Sequence, residues 1–257
     1  MKSMQMKALS LAVLALAGFG MAGSAFAVCP ATASAWSATS VGGGTSALAI
    51  VSPGLAGTGC KMSSALGNNG AAHAQVRDDS PTGETHYRAR FLFDPTNLTG
   101  SGGTNQAPIF LINSNAVHDN ILNMVKFQFL GTGGGTLTSG KRLAIIAACE
   151  NAASQFKCQT VVPLPVQQGV NRIEIDLVTG ASGTGSLRYW LNDDVTATSD
   201  GSPDGTIAIT GGNAGWVGVE TVFLGMTSPS TLYRTNNTDA AAFFDEFDSR
   251  RQTFIGN

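Results

Sequence analysis

From His86 onward the chain alternates. In HYRARFLFD, residues 86–94, Tyr87, Ala89, Phe91 and Phe93 fall on one parity and His86, Arg88, Arg90 and Leu92 on the other. Period two places the two sets on opposite faces of a strand. Similar short runs follow: APIFLIN, MVKFQFLG, KRLAIIAACE, QFKCQTVVPL, NRIEIDLV, SLRYWLND, GWVGVETVFLG and AFFDEFDSRR. Gly, Asn, Ser and Thr separate them, and such spacing predicts an antiparallel β-sandwich or barrel. Residues 28–76 are rich in Ala, Ser, Gly and Thr with little periodicity. They read as an irregular leading segment of the same domain, with one strand at Ala47–Ser52, ahead of a sandwich over 77–257. The turns are glycine-rich, as in Gly131-Thr132-Gly133-Gly134-Gly135, which permits positive φ. No internal repeat is visible, and outside the first residues no helix is expected.

Those first residues are a different element. Lys2 and Lys7 lead an apolar run, Leu9 to Leu16, and Ala25-Phe26-Ala27 supplies the small residues of a cleavage site. Residues 1–27 thus read as a secretory signal. No other stretch has the roughly 18 consecutive apolar residues of a spanning helix, so the expectation is an exported protein, periplasmic or extracellular, without membrane insertion. Removing 27 of 257 residues leaves 230, a length that suits one large β domain. Two of the 15 Lys and Arg leave with the leader, so 13 face 17 Asp and Glu. That acidic balance disfavours nucleic acid as a partner. Oligomeric state is not encoded in any pattern here.

Four cysteines, Cys29, Cys60, Cys149 and Cys158, remain after the leader. An even number in an exported chain points to two disulfides. Three pairings exist; Cys29 with Cys60 and Cys149 with Cys158 each close a local loop. A metal reading lacks support, since no C-x-x-C occurs and His73, His86 and His118 are scattered.

The C-terminal strands carry a resemblance. Asn171-Arg172-Ile173-Glu174-Ile175-Asp176, a glycine-rich turn, Ser186 to Asp193, and a closing Phe243-Phe244-Asp245-Glu246-Phe247-Asp248 together resemble the concanavalin A-like lectin and glucanase superfamily, specifically its laminin-G-like jelly rolls. The resemblance implies an all-β, two-sheet antiparallel jelly-roll sandwich whose concave face or rim binds glycans. Glucanases of this superfamily place carboxylates as Glu-x-Asp-x-Glu on one strand face. Glu174 and Asp176 fill the first two places, but Val178 and Thr179 follow, so a retaining pair lacks its proton donor on this strand. With Ile173, Ile175 and Leu177 as the buried set, Arg172, Glu174 and Asp176 read as a solvated face. In the closing motif, Asp245, Glu246 and Asp248 read as a structural acidic cluster. Asp245 shares strand parity with Phe243 and Phe247 and, if buried, needs a partner, with an arginine the obvious candidate.

Sugar-binding faces stack rings on aromatic side chains. On SLRYWLND, Arg188, Trp190 and Asn192 share the polar parity, which makes Trp190 the candidate exposed platform. The alternative is a packed Trp190. Arg88 and Arg90, and Glu220 with Trp216, extend such a site if their strands are neighbours. Asp200, Ser202 and Asp204 begin like an oxygen-ligand calcium loop, but Gly211 stands where its last carboxylate belongs. The reading is therefore no cofactor, with calcium at that loop as the alternative. No Gly-x-Ser-x-Gly elbow exists, and the glycines at 131–135 do not lead a strand into a helix. The sequence points first to a secreted, non-catalytic carbohydrate-recognition protein. The alternatives are a polysaccharide-degrading enzyme drawing acid and base from separate strands, such as Glu220 with Asp245 or Glu246, and a structural surface protein without small ligand.

Overall fold

The computed structural model describes residues 29–30, 33–99, 105–118, 121–131, 140–149, 160–181, 183–192, 201–209, 218–250 and 255. In chain order they form β1 (Ala38–Gly42), β2 (Ala47–Val51), β3 (Lys61–Ala65), β4 (His73–Asp78), β5 (His86–Asp94), β6 (Asn105–His118), β7 (Ile121–Gly131), β8 (Lys141–Ala147), β9 (Thr160–Pro165), β10 (Asn171–Val178), β11 (Gly185–Leu191), β12 (Gly205–Ile209), β13 (Thr221–Thr227), α1 (Thr231–Asn237) and β14 (Ala241–Arg250). A first sheet runs β1-β4-β13-β6-β7-β8-β9 and a second runs β12-β11-β10-β5-β14-β3-β2. Every pairing is antiparallel, so the expected two-sheet jelly-roll sandwich is what the chain adopts.

The aromatic parity read from the sequence fills the space between the sheets. Phe91 of β5 meets Phe110 and Phe127, Phe93 meets Phe244, and Phe129 meets Tyr233, all of them buried. Phe91 and Phe110 lie 4.9 Å apart and Phe127 meets Phe110 edge-on at 5.8 Å, the tilted and T-shaped contacts aromatic quadrupoles favour. Each buried phenylalanine contributes roughly 1.5–3 kcal/mol through its area.

The leading segment departs from expectation. Instead of one strand it supplies four, β1 to β4, two to each sheet. Its inward positions are Met62, Ser64, Ala74 and Val76, and small side chains give weak hydrophobic contrast although they bury as fully as large ones. Ser64 also joins the sheets. Its hydroxyl donates to Ala74 O of β4 at 2.6 Å and accepts from Met226 N–H of β13 at 3.0 Å. Beside it Gly225 has φ +121°, and a Cβ there would stand 2.5 Å from Ala74 O, so only glycine permits this approach.

A short helix is the second departure. In SPSTLYR the Ser230 hydroxyl accepts from Tyr233 N–H at 3.1 Å and caps α1. Tyr233, fully buried, donates its hydroxyl to Met226 Sδ at 3.3 Å. Cys29 and Cys60 are bridged; Cys149 is disulfide-bonded as well, while Cys158 and the leader lie outside the described residues. Among the described residues no helix is long and apolar enough to cross a membrane.

Because Ser64 satisfies two buried backbone groups at once, Ser64→Ala is expected to lower stability by about 1–3 kcal/mol in chemical denaturation. Ser64→Cys, which keeps a weak donor and acceptor, should lose less.

Candidate functional site

The outer face of the second sheet carries the chain's chemistry, and strand register explains how. Across β14, β5, β10 and β11, Arg250, Arg88, Asp176 and Arg188 stand in one row. The next row is Asp248, Arg90, Glu174 and Trp190. The two arginines of β5 thus stand opposite the two carboxylates of β10, and Arg188 of β11 stands opposite Asp176. The structure brings together Arg88, Arg90, Arg188, Trp190, Glu246 and Asp248, all of them site residues named from the sequence.

This face is not the solvated surface that parity suggested. Glu174 is 4% exposed and Asp176 fully buried, and Arg88 is buried beside them. Arg88 Nε donates to Glu174 Oε1 at 3.0 Å. The same Glu174 oxygen accepts from Ile255 N–H at 3.2 Å, and Ile255 is itself buried, so this residue covers the pair. Asp176 Oδ2 accepts from Arg188 Nε at 2.9 Å and Asp176 Oδ1 lies 2.6 Å from His86 Nε2. A carboxylate can only accept, so in a neutral His86 ring the proton sits on Nε2 and Nδ1 is left as the basic position. His86 and Arg188 remain about a third exposed, at 30% and 34% of their side chains.

Trp190 is no exposed platform. It is 3% exposed, with the Arg88 guanidinium 4.8 Å from its ring centroid and that of Arg188 at 5.4 Å. It belongs to the charged layer, stacked by cations, rather than to the core between the sheets. Asn192 is likewise turned to the backbone. At φ +62° its Oδ1 accepts from Arg172 N–H at 2.8 Å and its Nδ2 donates to Asn171 Oδ1 at 3.3 Å. Glu220 lies elsewhere. It precedes β13 in the first sheet and donates its N–H to Asn113 O at 3.0 Å, so it cannot pair with Asp245 or Glu246.

The closing motif is interrupted by a bulge. Register shifts between Asp245 and Asp248, with Glu246 at φ +48°, which turns Phe247 inward against Phe110 and Trp36 while Phe243 lies under Lys61 Nζ. Period two had put both rings on one face; the extra residue reverses the second. Asp245 finds no arginine. Its Oδ2 accepts from Leu55 N–H at 2.8 Å and from the Thr58 hydroxyl, and its Oδ1 from Glu246 N–H at 2.8 Å. Glu246 and Asp248 do meet arginines, Arg90 at 3.9 Å and Arg250 at 2.9 Å.

In the loop considered for calcium, Asp204 Oδ2 accepts from Leu191 N–H at 2.6 Å, Ser202 is exposed and Asp200 lies outside the described residues. Among the described residues no three acidic, His or Cys side chains gather as a metal site would need.

Sequence reasoning passed over two residues of this face. His86 was visible only as the first member of the polar parity of β5. Arg172 was set aside as a counter-charge, yet its Nε and Nη1 are buried with no hydrogen-bond partner among the described residues. Burial and the neighbouring Arg90 both lower its pKa, with Glu246 and Glu174 opposing.

No protein-family model and no curated protein matches the chain. Solved structures do. An endo-β-1,4-glucuronan lyase from the fungus Trichoderma reesei superposes with TM-score 0.63 at 11% identity, over 89% of this chain and 95% of that one. An alginate lyase superposes with TM-score 0.51 at 11% identity, over 88% and 87%. A cellulose-induced protein does so with TM-score 0.50 at 14% identity, over 84% and 91%. These likenesses are of fold, a two-sheet jelly-roll β-sandwich.

Glu174→Leu leaves Arg88 buried without its carboxylate and is expected to cost roughly 3–5 kcal/mol in denaturant unfolding. Adding Arg88→Met should recover a large part of that loss.

Proposed function

We propose that the protein recognises an acidic, uronate-bearing polysaccharide along the outer face of the second sheet. The observation that carries this reading is the partnerless part of Arg172. Arg172 as a whole is partly exposed, and a carboxylate arriving at its guanidinium gains charge-assisted hydrogen bonds that the protein does not supply there among the described residues. An incoming carboxylate also relieves the repulsion from Arg90. Arg172 and His86 mark the two ends of β10 on this face, about 20 Å apart at 3.3 Å per residue, with the covered Arg88–Glu174 pair between them. The length of this face suits a polymer, and the arginines suit an anionic one. A two-carboxylate hydrolysis finds less support, because Glu174 and Asp176 are each held by an arginine.

A second reading, cleavage of the same polymer by β-elimination, is favoured by one feature, the His86–Asp176 contact. In that chemistry His86 Nδ1 takes the proton from the carbon next to the uronate carboxylate. The carbon–oxygen bond to the neighbouring sugar then breaks, leaving a carbon–carbon double bond and, after protonation, a free hydroxyl. Two of the structures sharing the fold are named as lyases of uronate polymers, which agrees with this reading and with simple recognition alike.

Calorimetry with glucuronan oligosaccharides is expected to show binding that weakens with salt. Arg172→Gln should reduce affinity at least about tenfold, given ~1.5–3 kcal/mol for a charge-assisted bond, and a neutral β-glucan should not bind. Absent glucuronan binding, or an Arg172→Gln variant that binds normally, defeats the proposal. Ultraviolet absorbance of unsaturated sugar ends tests the second reading. If it appears, His86→Ala should slow it by about a hundredfold or more. Binding without any such absorbance identifies a non-catalytic recognition protein.

A further inference from the structure

Between the sheets, at the end where β3 and β14 face β4 and β13, the interior is incompletely filled. A partly open cavity of about 670 Å³ lies there, within the size range of small-ligand sites. Met62, Leu224 and Phe244 form its apolar floor. One wall is the partly buried Trp36, its ring 4.7 Å from that of Phe247. The Phe247 side of this wall exists only because the bulge at Glu246 turns that ring inward.

The cavity's polar lining is acidic. Asp78, Asp245, Glu246 and Asp248 are among the residues that line it, with Lys61; Glu246 and Asp248 turn their carboxylates to Arg90 and Arg250 on the outer face, whereas Asp78 shares the inward parity of Ala74 and Val76. Three of the four are engaged, Asp245 by Leu55 N–H and Thr58, Glu246 by Arg90, and Asp248 by Arg250. Asp78 has a single neutral partner: its Oδ1 accepts from Ser80 N–H at 2.9 Å, and among the described residues it forms no ion pair. Nearby, the buried Tyr87 hydroxyl makes no hydrogen bond of ordinary geometry. Burial pushes its pKa up, with Asp78 and Asp248 adding to the rise and Ser249 opposing it, so the negative field of these carboxylates extends into the protein.

We propose that this cavity is a second ligand site, separate from the arginine face, that takes a compact ring bearing an ammonium group, an amino sugar being the representative case. The ring's apolar side lies against Trp36 and Phe247, and the ammonium meets Asp78. The selectivity is opposite to that of the outer face. A uronate would bring its carboxylate against that of Asp78, whereas an ammonium supplies a counter-charge to it. A neutral sugar keeps the stacking and loses the ion pair.

The test uses the protein labelled on tryptophan and followed by nuclear magnetic resonance, with the Trp36 indole signal assigned through Trp36→Phe. Glucosamine, glucose and glucuronic acid are titrated in turn. Glucosamine is expected to shift the Trp36 signal saturably, glucose to bind about tenfold more weakly, and glucuronic acid to leave it unmoved. Asp78→Asn, which keeps an acceptor for Ser80 N–H, should bring glucosamine down to the level of glucose, while Arg172→Gln should leave the titration unchanged. A Trp36 signal that ignores glucosamine, an Asp78→Asn protein that binds it normally, or equal binding of glucuronic acid overturns the proposal. Because glucuronan binding is read at Arg172, failure here leaves that reading standing, and the reverse also holds.

Discussion

A charge withdrawn from water must be met by an opposite charge where it comes to rest. On the outer face of the second sheet this condition applies to a whole layer. Arg88, Glu174 and Asp176 are buried there, so β5, β10 and β11 have to align such that Arg88 reaches Glu174 and Arg188 reaches Asp176. A one-residue slip would exchange this layer with the aromatic set and drive guanidinium groups between the sheets. Core and charged layer therefore select the same register from opposite sides. Among the described residues Arg172 keeps two buried donors without a hydrogen-bond partner, and the His86 side chain stays within reach of solvent.

The legible part of the fold was the part with contrast. From His86 onward bulky aromatic residues alternate with charged ones, and the strands and their inward sets follow directly. In β3 and β4 the inward positions include Ser64 and Ala74, whose small side chains carry little pattern, so those strands were missed. Parity also separates two faces without stating whether the outer one is covered. Glu174 and Asp176 were assigned to the correct face and to the wrong environment for this reason, and for Trp190 burial favours the packed alternative over the exposed platform. The bulge at Glu246 escaped notice because a left-handed residue there is not a glycine, and one added residue is enough to reverse Phe247. Glu220 was misplaced because which strands become neighbours is a matter of topology, which local spacing does not encode.

Sharing a jelly roll with proteins that act on polysaccharides fixes a scaffold and leaves its surfaces to be specified. Here two regions of one sandwich have acquired opposite electrostatic character. The outer face of β5, β10 and β11 gathers arginines, while the gap beside Trp36 is lined by acidic residues, Asp78 among them. Glu246 belongs to both, lining the gap and pairing with Arg90. The bulge that places it there is therefore the hinge of the molecule's charge distribution.

Ser64 has a consequence beyond its own hydrogen bonds. It sits on β3, which pairs with β14 through Met62 with Phe244 and Ser63 with Phe243. By holding one group from β4 and another from β13, its hydroxyl fixes the height of β3 against the opposite sheet. A slide of β3 by two positions would present Met62 or Leu66 at the same place, and neither side chain can donate to a carbonyl. With β3 pinned, β14 is pinned, and with it the point along the strand at which the bulge falls. A hydroxyl between the sheets thus acts as an alignment pin for side chains on the far surface, coupling the assembly of the sandwich to the placement of Glu246 against Arg90.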